Sequence, residues 1–344
     1  MRDRAGKIYL RRSLYEVFPG GRLVKGILTI CRKELADHFS STRFILLFYL
    51  ILMVSLVTAF MVGSGLRDEL KDVAKPTFVF LMLFTSPGKL FSLIQFIAIF
   101  GPLMGIILGF DAINRERSSR TLSKLVSQPI YRDAIINGKF LAGLVTIIVL
   151  LLAIILMISG LGLLLIGVVP GPEEIMRLFI YFVISVFYIA FWLGISILFS
   201  VAFRSMATSA LAAIACWIFF SFFVAMGASV LADVISPIDP TRAANNPELI
   251  IDHEQTRKII SLFSPMTLYS EATTIILDPL RKTTQSLLLM GPMERLSISR
   301  FQNPLPLSES IYIVFPHLIC LFAITLVCFA ISYASFLRQE VRST

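Results

Sequence analysis

The stretch DAINRERSSRTLSKLVSQPIYRDAIINGK, residues 111–139, is polar and lies between two long apolar runs. It carries six lysines and arginines against three acids. An excess of Lys and Arg marks the cytoplasmic loops of membrane proteins. The stretch therefore predicts a cytoplasmic loop that joins two membrane-spanning helices.

The composition of the chain agrees with an integral membrane protein. Of its 344 residues 56% are hydrophobic, and the mean hydropathy is +0.83, which is too apolar for an ordinary soluble domain. A helix needs about 20 apolar residues to cross a bilayer. Six runs reach that length: residues 44–62, 91–110, 140–169, 178–202, 206–231 and 311–336. We therefore predict an all-α integral membrane protein with six transmembrane helices.

The positive charge of the chain is concentrated on one side of these six spans. Residues 1–43, 111–139, 203–205 and 337–344 hold 19 Lys and Arg against 8 acids, whereas the rest holds 12 against 14. Such an asymmetry is an orientation signal and does not point to nucleic-acid binding. It predicts that both termini face the cytoplasm.

The central loop contains a predicted amphipathic helix. Leu122, Leu125 and Val126 recur at helical spacing after residues 118–119, two serines that can cap a helix start. Pro129 would stop the helix after the preceding residue. The loop therefore offers one short helix with an apolar face.

A second amphipathic helix is predicted before the first span. Between residues 22 and 43 apolar side chains recur at steps of three and four, with basic side chains on other faces. The apolar positions are Val24, Leu28, Cys31, Leu35 and Phe39. This pattern suits a helix that lies along the inner membrane surface. The alternative, a frayed start of the first span, stays open.

Three further features set the organisation of the chain. Gly101, Gly105 and Gly109 stack on one face of the second span, which suits either a subunit interface and pathway lining or packing inside one subunit. Residues 78–84 are apolar but too short to cross, so they are re-entrant or interfacial. Residues 232–310 contain no run of span length and predict an external lobe, folded or partly re-entrant.

These features divide the chain into four predicted parts. They are a cytoplasmic tail with an interfacial helix (1–43), spans one to five with the cytoplasmic loop 111–139 (44–231), the external lobe (232–310), and span six with a cytoplasmic C-terminus (311–344).

The loop also carries an ordered set of residues. They are Glu116-Arg117, Thr121-Leu122, Pro129-Ile130, Arg132 and Gly138-Lys139. In this order they resemble the first cytoplasmic loop of type 2 ABC exporter permeases. That family often has Gly before Thr-Leu, where this chain has Arg120. Residues 264–279, SPMTLYSEATTIILDP, resemble the segment before the last span in relatives of the nitrous-oxide-reductase maturation permease.

The resemblance implies a function and a set of contacts. In that family the loop forms a coupling helix that docks into a cleft on a separate ATPase subunit. Carried onto this chain, the ATPase contacts are Glu116, Arg117, Arg120, Thr121, Leu122 and Leu125. Arg204, in the short turn between spans four and five, matches a second, minor contact.

The resemblance also implies an assembly in a prokaryotic plasma membrane. Six helices supply half of a translocation pathway, so a second copy or a related permease chain would complete it among the membrane lipids. ATP and Mg would bind to the partner ATPase, with no cofactor in this chain.

The sequence shows no catalytic or metal-binding constellation. His253-Glu254 lacks the second His of a metalloprotease helix, and Gly88-Lys89 and Gly138-Lys139 lack the rest of a phosphate-binding loop. The six apolar runs contain no Asp, Glu, Lys or Arg, with Gln95 the notable polar exception, which disfavours ion-coupled transport.

Two alternatives to a transporter remain open at this point. One is a membrane enzyme that acts on lipids at the inner surface through Asp111, Glu116 and Asp133. The other is a non-transporting sensor or assembly factor that keeps the ATPase docking surface.

Overall fold

Helices make up nearly all of the chain that the structure, a computed structural model, describes. The described residues are 19–69, 78–85, 92–121, 131–237, 247–279 and 304–338, and no β-strand occurs within them. In chain order the helices are α1 (Pro19–Ser40), α2 (Thr42–Glu69), α3 (Val79–Thr85), α4 (Leu93–Gly109), α5 (Asn114–Ser118), α6 (Arg132–Ile166), α7 (Pro172–Ala202), α8 (Met206–Ile218), a π-helix (Phe219–Phe223), α9 (Val224–Ile235), α10 (Pro247–Ser261), α11 (Pro265–Leu277) and α12 (Leu307–Arg338).

Six helices in the described ranges are long and apolar enough to cross a membrane. They are α2, α4, α6, α7, α8 with its π-helical continuation, and α12. The predicted all-α membrane protein with six spans is therefore confirmed. Four of these helices, α2, α6, α7 and α12, begin before their apolar runs. The differences are largest where Arg132 opens α6 and Pro172 opens α7. Pro at the first helical position and acids in the first turn, here Glu173 and Glu174, favour a helix start at that point.

Helix α7 is the centre of the bundle and packs against α4, α6, α8, α11 and α12. The glycine stripe of α4 faces it. A Cβ at Gly105 would lie 2.7 Å from the Ile189 carbonyl oxygen and 2.8 Å from the Leu193 nitrogen. Hydrogen bonds reinforce this contact, since Ser196 Oγ donates to the Ile106 carbonyl at 2.9 Å. The structure therefore places Gly101, Gly105 and Gly109 in a helix contact inside one subunit.

Helix α1 is separate from the first span. It ends at Ser40, and α2 begins at Thr42. Instead of continuing the span, α1 packs along α6, where Gly138 lets the two backbones approach: a Cβ there would lie 3.1 Å from the Ile27 carbonyl oxygen. Its apolar residues Val24, Leu28 and Phe39 stay exposed. This arrangement fits the predicted amphipathic helix and not a frayed end of α2.

We call the two ends of the bundle the loop end (residues 110–121 and 203–205) and the lobe end (α3 and residues 167–171). Helix α11 runs back into the bundle from the lobe end. Its Tyr269 ring stacks on Tyr188 of α7 with 4.4 Å between centroids. Tyr188 lies about 24 Å along α7 from Pro172 at 1.5 Å per residue. Part of the 232–310 segment is therefore buried in the bundle.

Candidate functional site

The polar segment after α4 folds into one helical turn, α5, with a defined end. Arg120 has φ of 55°, in the left-handed region. Its N–H donates to the Arg117 carbonyl at 3.2 Å, and the Thr121 N–H donates to the Glu116 carbonyl at 3.0 Å. These are the two hydrogen bonds of a Schellman helix ending. Glycine is favoured at the left-handed position of that ending, which explains why similar permeases often carry Gly where this chain has Arg120.

The sequence-based position of the loop helix is wrong at its start. Ser118 is the last residue of α5, and Ser119 is its C-cap, so these serines end a helix instead of beginning one. The physical reason is that the Schellman turn closes α5 at this point. The residues that follow, 122–130, lie outside the described residues. The predicted coupling helix, with Leu122, Leu125 and Pro129, falls there.

Glu116, whose side chain is nearly buried, holds α5 against α1 and α6 through ion pairs. Lys33 Nζ of α1 lies 2.8 Å from Glu116 Oε1, and Lys139 Nζ of α6 lies 3.6 Å from the same oxygen. Thr121 Oγ1 donates to the other carboxylate oxygen. The Glu116 side chain is only 9% exposed. Glu116 therefore fixes the position of the loop and does not project from its surface.

The same cluster joins α1 to α6. Lys139 Nζ lies 2.7 Å from Glu34 Oε1, and both side chains are nearly buried. Burial by itself raises the pKa of Glu34, but the positive charges of Lys139 and Lys33 outweigh it and leave the pKa lowered. Burial likewise acts to lower the pKa of Lys33, and its bonds to Glu116 and Glu34 raise it on balance. Glu34 and Lys33 are therefore charged at neutral pH, and together with Glu116 and Lys139 they form what we call the anchor.

A second set of bonds joins α5 to the turn between α7 and α8. Ser200 Oγ accepts hydrogen bonds from the N–H groups of Ile113 at 3.0 Å and Asn114 at 3.2 Å. Arg117 Nη1 donates to the Phe203 carbonyl, and Asn114 Nδ2 donates to the Ser205 carbonyl, each at 3.3 Å. The structure therefore brings together the two regions in which the sequence predicts ATPase contacts.

These contacts create one basic surface, which consists of Arg117, Arg120 and Arg204. The side chains of Arg120 and Arg204 are exposed, and Arg117 is half-buried. Thr121 borders this surface with its hydroxyl turned toward the Glu116 carboxylate. The glycine stripe lies elsewhere, along α4 against α7.

The three acids of the alternative lipid enzyme have separate partners. Asp111 Oδ2 lies 3.5 Å from Arg43, while Glu116 belongs to the anchor. Asp133, in the first turn of α6, is hydrogen-bonded to Tyr333 near the end of α12. Within the described ranges no group of three His, Cys, Asp or Glu side chains is arranged to hold a metal ion.

A polar cavity of about 220 Å³ lies between the anchor and the membrane-facing start of α2. Helices α1, α2, α4, α5 and α6 all contribute to its wall. Besides the anchor, its charged and polar lining side chains are Asp37, His38, Ser41, Arg43, Asp111, Arg115, Ser119 and Thr121.

Sequence reasoning missed a fully buried cation at the lobe end. Arg177 Nη1 donates to the Ile276 carbonyl at 2.9 Å, and Nη2 donates to the Leu305 carbonyl at 2.6 Å and to Glu173 Oε1 at 2.8 Å. Arg177 thereby ties α7 to the end of α11 and to the segment before α12. Arg177 stands one residue before the fourth apolar run, so the absence of charged residues within the runs gave no indication of it.

A second contact that the sequence did not predict joins α11 to α12. Glu271 Oε2 of α11 lies 3.2 Å from His317 Nε2 of α12. His317 lies within the sixth apolar run, and its partner Glu271 comes from another segment, so no local pattern in the sequence indicated the pair. Ionisable groups at such positions in membrane proteins are usually kept for a purpose.

Comparison with known families gives a match over almost the whole chain. A family model described as "ABC-2 family transporter protein" matches residues 28–341. No curated protein matches the sequence. The matched range includes the anchor, the basic surface and all six candidate spans.

Proposed function

Because the chain belongs to the ABC-2 transporter family and is a multi-pass membrane permease component, we propose that it forms half of an ATP-driven exporter worked by a separate ATPase subunit. One observation supports the ATPase contact most directly. The loop after α4 and the turn after α7, which are 86 residues apart at Arg117 and Phe203, are hydrogen-bonded into one basic surface. We infer that this surface, with the following residues 122–130, docks onto an acidic cleft of the ATPase.

The strength of the anchor fits the mechanical role that we propose. Switching a pathway from 1:99 to 99:1 requires about 5.5 kcal/mol of differential binding. A single exposed ion pair supplies about 0–1 kcal/mol. The ATPase must therefore move α5 as a rigid body. The ion pairs from Glu116 to Lys33 of α1 and Lys139 of α6 transmit that movement into the spans.

The remaining parts of the proposal follow from charge and resemblance. The loop end and both termini face the cytoplasm, and residues 232–310 are on the external side of a prokaryotic plasma membrane. A second copy or a related permease completes the pathway, and ATP with Mg binds to the partner. The segment at 264–279 supports a relationship to the nitrous-oxide-reductase maturation permeases, and export is the direction that the resemblance favours.

The dispersed partners of Asp111, Glu116 and Asp133 give no support to the alternative lipid enzyme. A non-transporting sensor with the same docking surface differs from the proposal in one measurable respect, because it would regulate an ATPase without moving a substrate.

The test is stimulation of the ATPase encoded beside this chain after both are reconstituted in vesicles. We expect Arg204→Glu with Arg120→Glu to lower the stimulated rate about tenfold, because two exposed contacts of up to about 1 kcal/mol each become repulsive. Arg32→Glu with Lys25→Glu is the matched control, since both residues are exposed on α1 and the pair makes the same charge change away from this surface. Equal stimulation of the wild type and the double variant would contradict the proposed contact.

A further inference from the structure

The cavity at the loop end contains cationic side chains that the anchor does not use. Of its lysines and arginines, Lys33 and Lys139 belong to the anchor. Arg43 makes one long ion pair of 3.5 Å to Asp111 and lies over the Phe110 ring, 5.5 Å from its centroid. Arg115 lines the cavity with no ion pair in the described part of the chain, and its charge and that of Arg43 both act on Asp111. Outside the anchor, two guanidinium groups and two carboxylates, those of Asp111 and Asp37, therefore face the same space, and Asp37 is already paired with Lys33 at 3.7 Å.

This combination suits a ligand with one phosphate and one amine. A guanidinium group presents paired N–H donors that match phosphate oxygens. The Asp111 carboxylate, 20% exposed, accepts hydrogen bonds and complements an ammonium group. The lining has equal numbers of Lys/Arg and of Asp/Glu side chains, so it favours a zwitterion over a ligand of high net charge.

The size and position of the cavity point to a lipid as the source. A volume of about 220 Å³ lies below the roughly 300–1,000 Å³ of pockets that enclose a whole small molecule. Arg43 stands in the first turn of α2, and Leu46, Leu50 and Met53 follow it at helical steps, all exposed on the membrane-spanning helix. A headgroup in the cavity would therefore have its acyl chains along an apolar strip of α2.

We propose that the cavity binds the phosphoethanolamine headgroup of a phospholipid, with its phosphate on Arg43 and Arg115 and its ammonium group on Asp111. The proposal rests on the orientation proposed above, which puts the loop end in the inner leaflet. A lipid bound there contacts α1, α2 and α5 together, so it holds the anchor and the basic surface in place.

The experiment measures lipid binding to the purified, delipidated permease in detergent by native mass spectrometry, without any ATPase. Phosphatidylethanolamine is compared with phosphatidylcholine of the same acyl chains, since the two have the same charge but only the former has N–H donors. We expect phosphatidylethanolamine to bind at least about tenfold more tightly, the effect of one hydrogen bond to a charged group. Arg115→Gln and, separately, Arg43→Gln are expected to remove at least about tenfold of that affinity.

Arg32→Gln is the control, because it removes the same charge from an exposed position that does not line the cavity. It is expected to change the affinity by less than about twofold, as surface substitutions do. Soluble phosphoethanolamine distinguishes the two sources of the headgroup, and it should not displace the lipid at submillimolar concentration. Equal binding of the two lipids, an equal loss in Arg32→Gln, or displacement by the soluble headgroup would overturn the assignment. Because the readout needs no ATPase, it stands or fails separately from the coupling function.

Discussion

The buried pair Glu34–Lys139 is the strongest test of the anchor. Its nitrogen and oxygen are 2.7 Å apart, and the two side chains are 11% and 5% exposed. Lys33–Asp37 on α1, at 3.7 Å and with side chains 51% and 41% exposed, provides an exposed pair for comparison. Because Lys33 also bonds Glu116 of the anchor, the comparison uses only the coupling energy of each cycle and not the cost of the single substitution at Lys33. Two double-mutant cycles, Glu34→Gln with Lys139→Met and Asp37→Asn with Lys33→Met, compare them.

The expected magnitudes differ because water screens only the exposed pair. Removing one partner of a buried pair leaves an uncompensated charge and costs about 3–5 kcal/mol. Each single substitution at Glu34 or Lys139 should approach that cost, and the double variant should cost less than the sum by about 1–3 kcal/mol. The exposed helical pair should show a coupling of about 0.3–0.5 kcal/mol.

The assay is the free energy of unfolding by denaturant in micelles, for wild type and each variant. The pH dependence provides a further check. Since the folded pKa of Glu34 is lowered, its stabilisation is present above the ordinary value of 4.5 and is lost as the pH falls through the lower folded value. Lys33, whose pKa is raised, stabilises below its ordinary value of 10.5 and loses this effect only at higher pH. A buried-pair coupling no larger than the exposed one, or one that does not decrease as the pH falls below 4.5, would refute the reasoning.

Three further predictions concern single positions and use the same unfolding measurement. Gly105→Ala should destabilise the protein by about 1–3 kcal/mol, because the added Cβ meets backbone atoms of α7. Gly160→Ala, where the added Cβ has nothing within 4 Å, should be neutral or stabilising. Equal effects of the two substitutions would contradict the close contact between α4 and α7. Arg120→Gly should be more stable than Arg120→Ala by about 1 kcal/mol, because only glycine adopts φ of 55° without a steric penalty, and the reverse order would exclude the Schellman ending. Arg177→Met should cost about 3–5 kcal/mol, and Arg177→Lys should rescue it only in part because an ammonium lacks the fork that reaches Ile276 and Leu305; full rescue by Lys would show that charge alone matters.

The spans were predictable because their signal is local. Runs of apolar residues and the three-and-four spacing of α1 depend only on neighbouring positions in the chain. The helix starts at Arg132 and Pro172 could not be read from the apolar runs, because each helix begins with polar or charged residues that precede its run. The stacking of Gly101, Gly105 and Gly109 predicted a close helix contact, but no local pattern could name α7 as the partner.

The site was predictable in its location and not in its geometry. The order of residues in the loop indicated Glu116, but its partner Lys33 lies 83 positions earlier, so its burial could not be read from spacing. The link between Arg117 and the turn at Phe203 is equally long-range. Arg120 did carry a local signal, because a position where similar chains often have Gly points to a left-handed backbone.

Cross-linking from the two ends of the bundle tests directly whether the ATPase docks at the loop end. A photoreactive residue replaces Ser118, exposed at the end of α5, or Tyr312, exposed in α12 near the lobe end, and the co-expressed ATPase is probed for adducts. We predict that the ATPase is captured from position 118 and not from position 312. Capture from position 312 alone would contradict docking at the loop end, because it would put the ATPase at the lobe end.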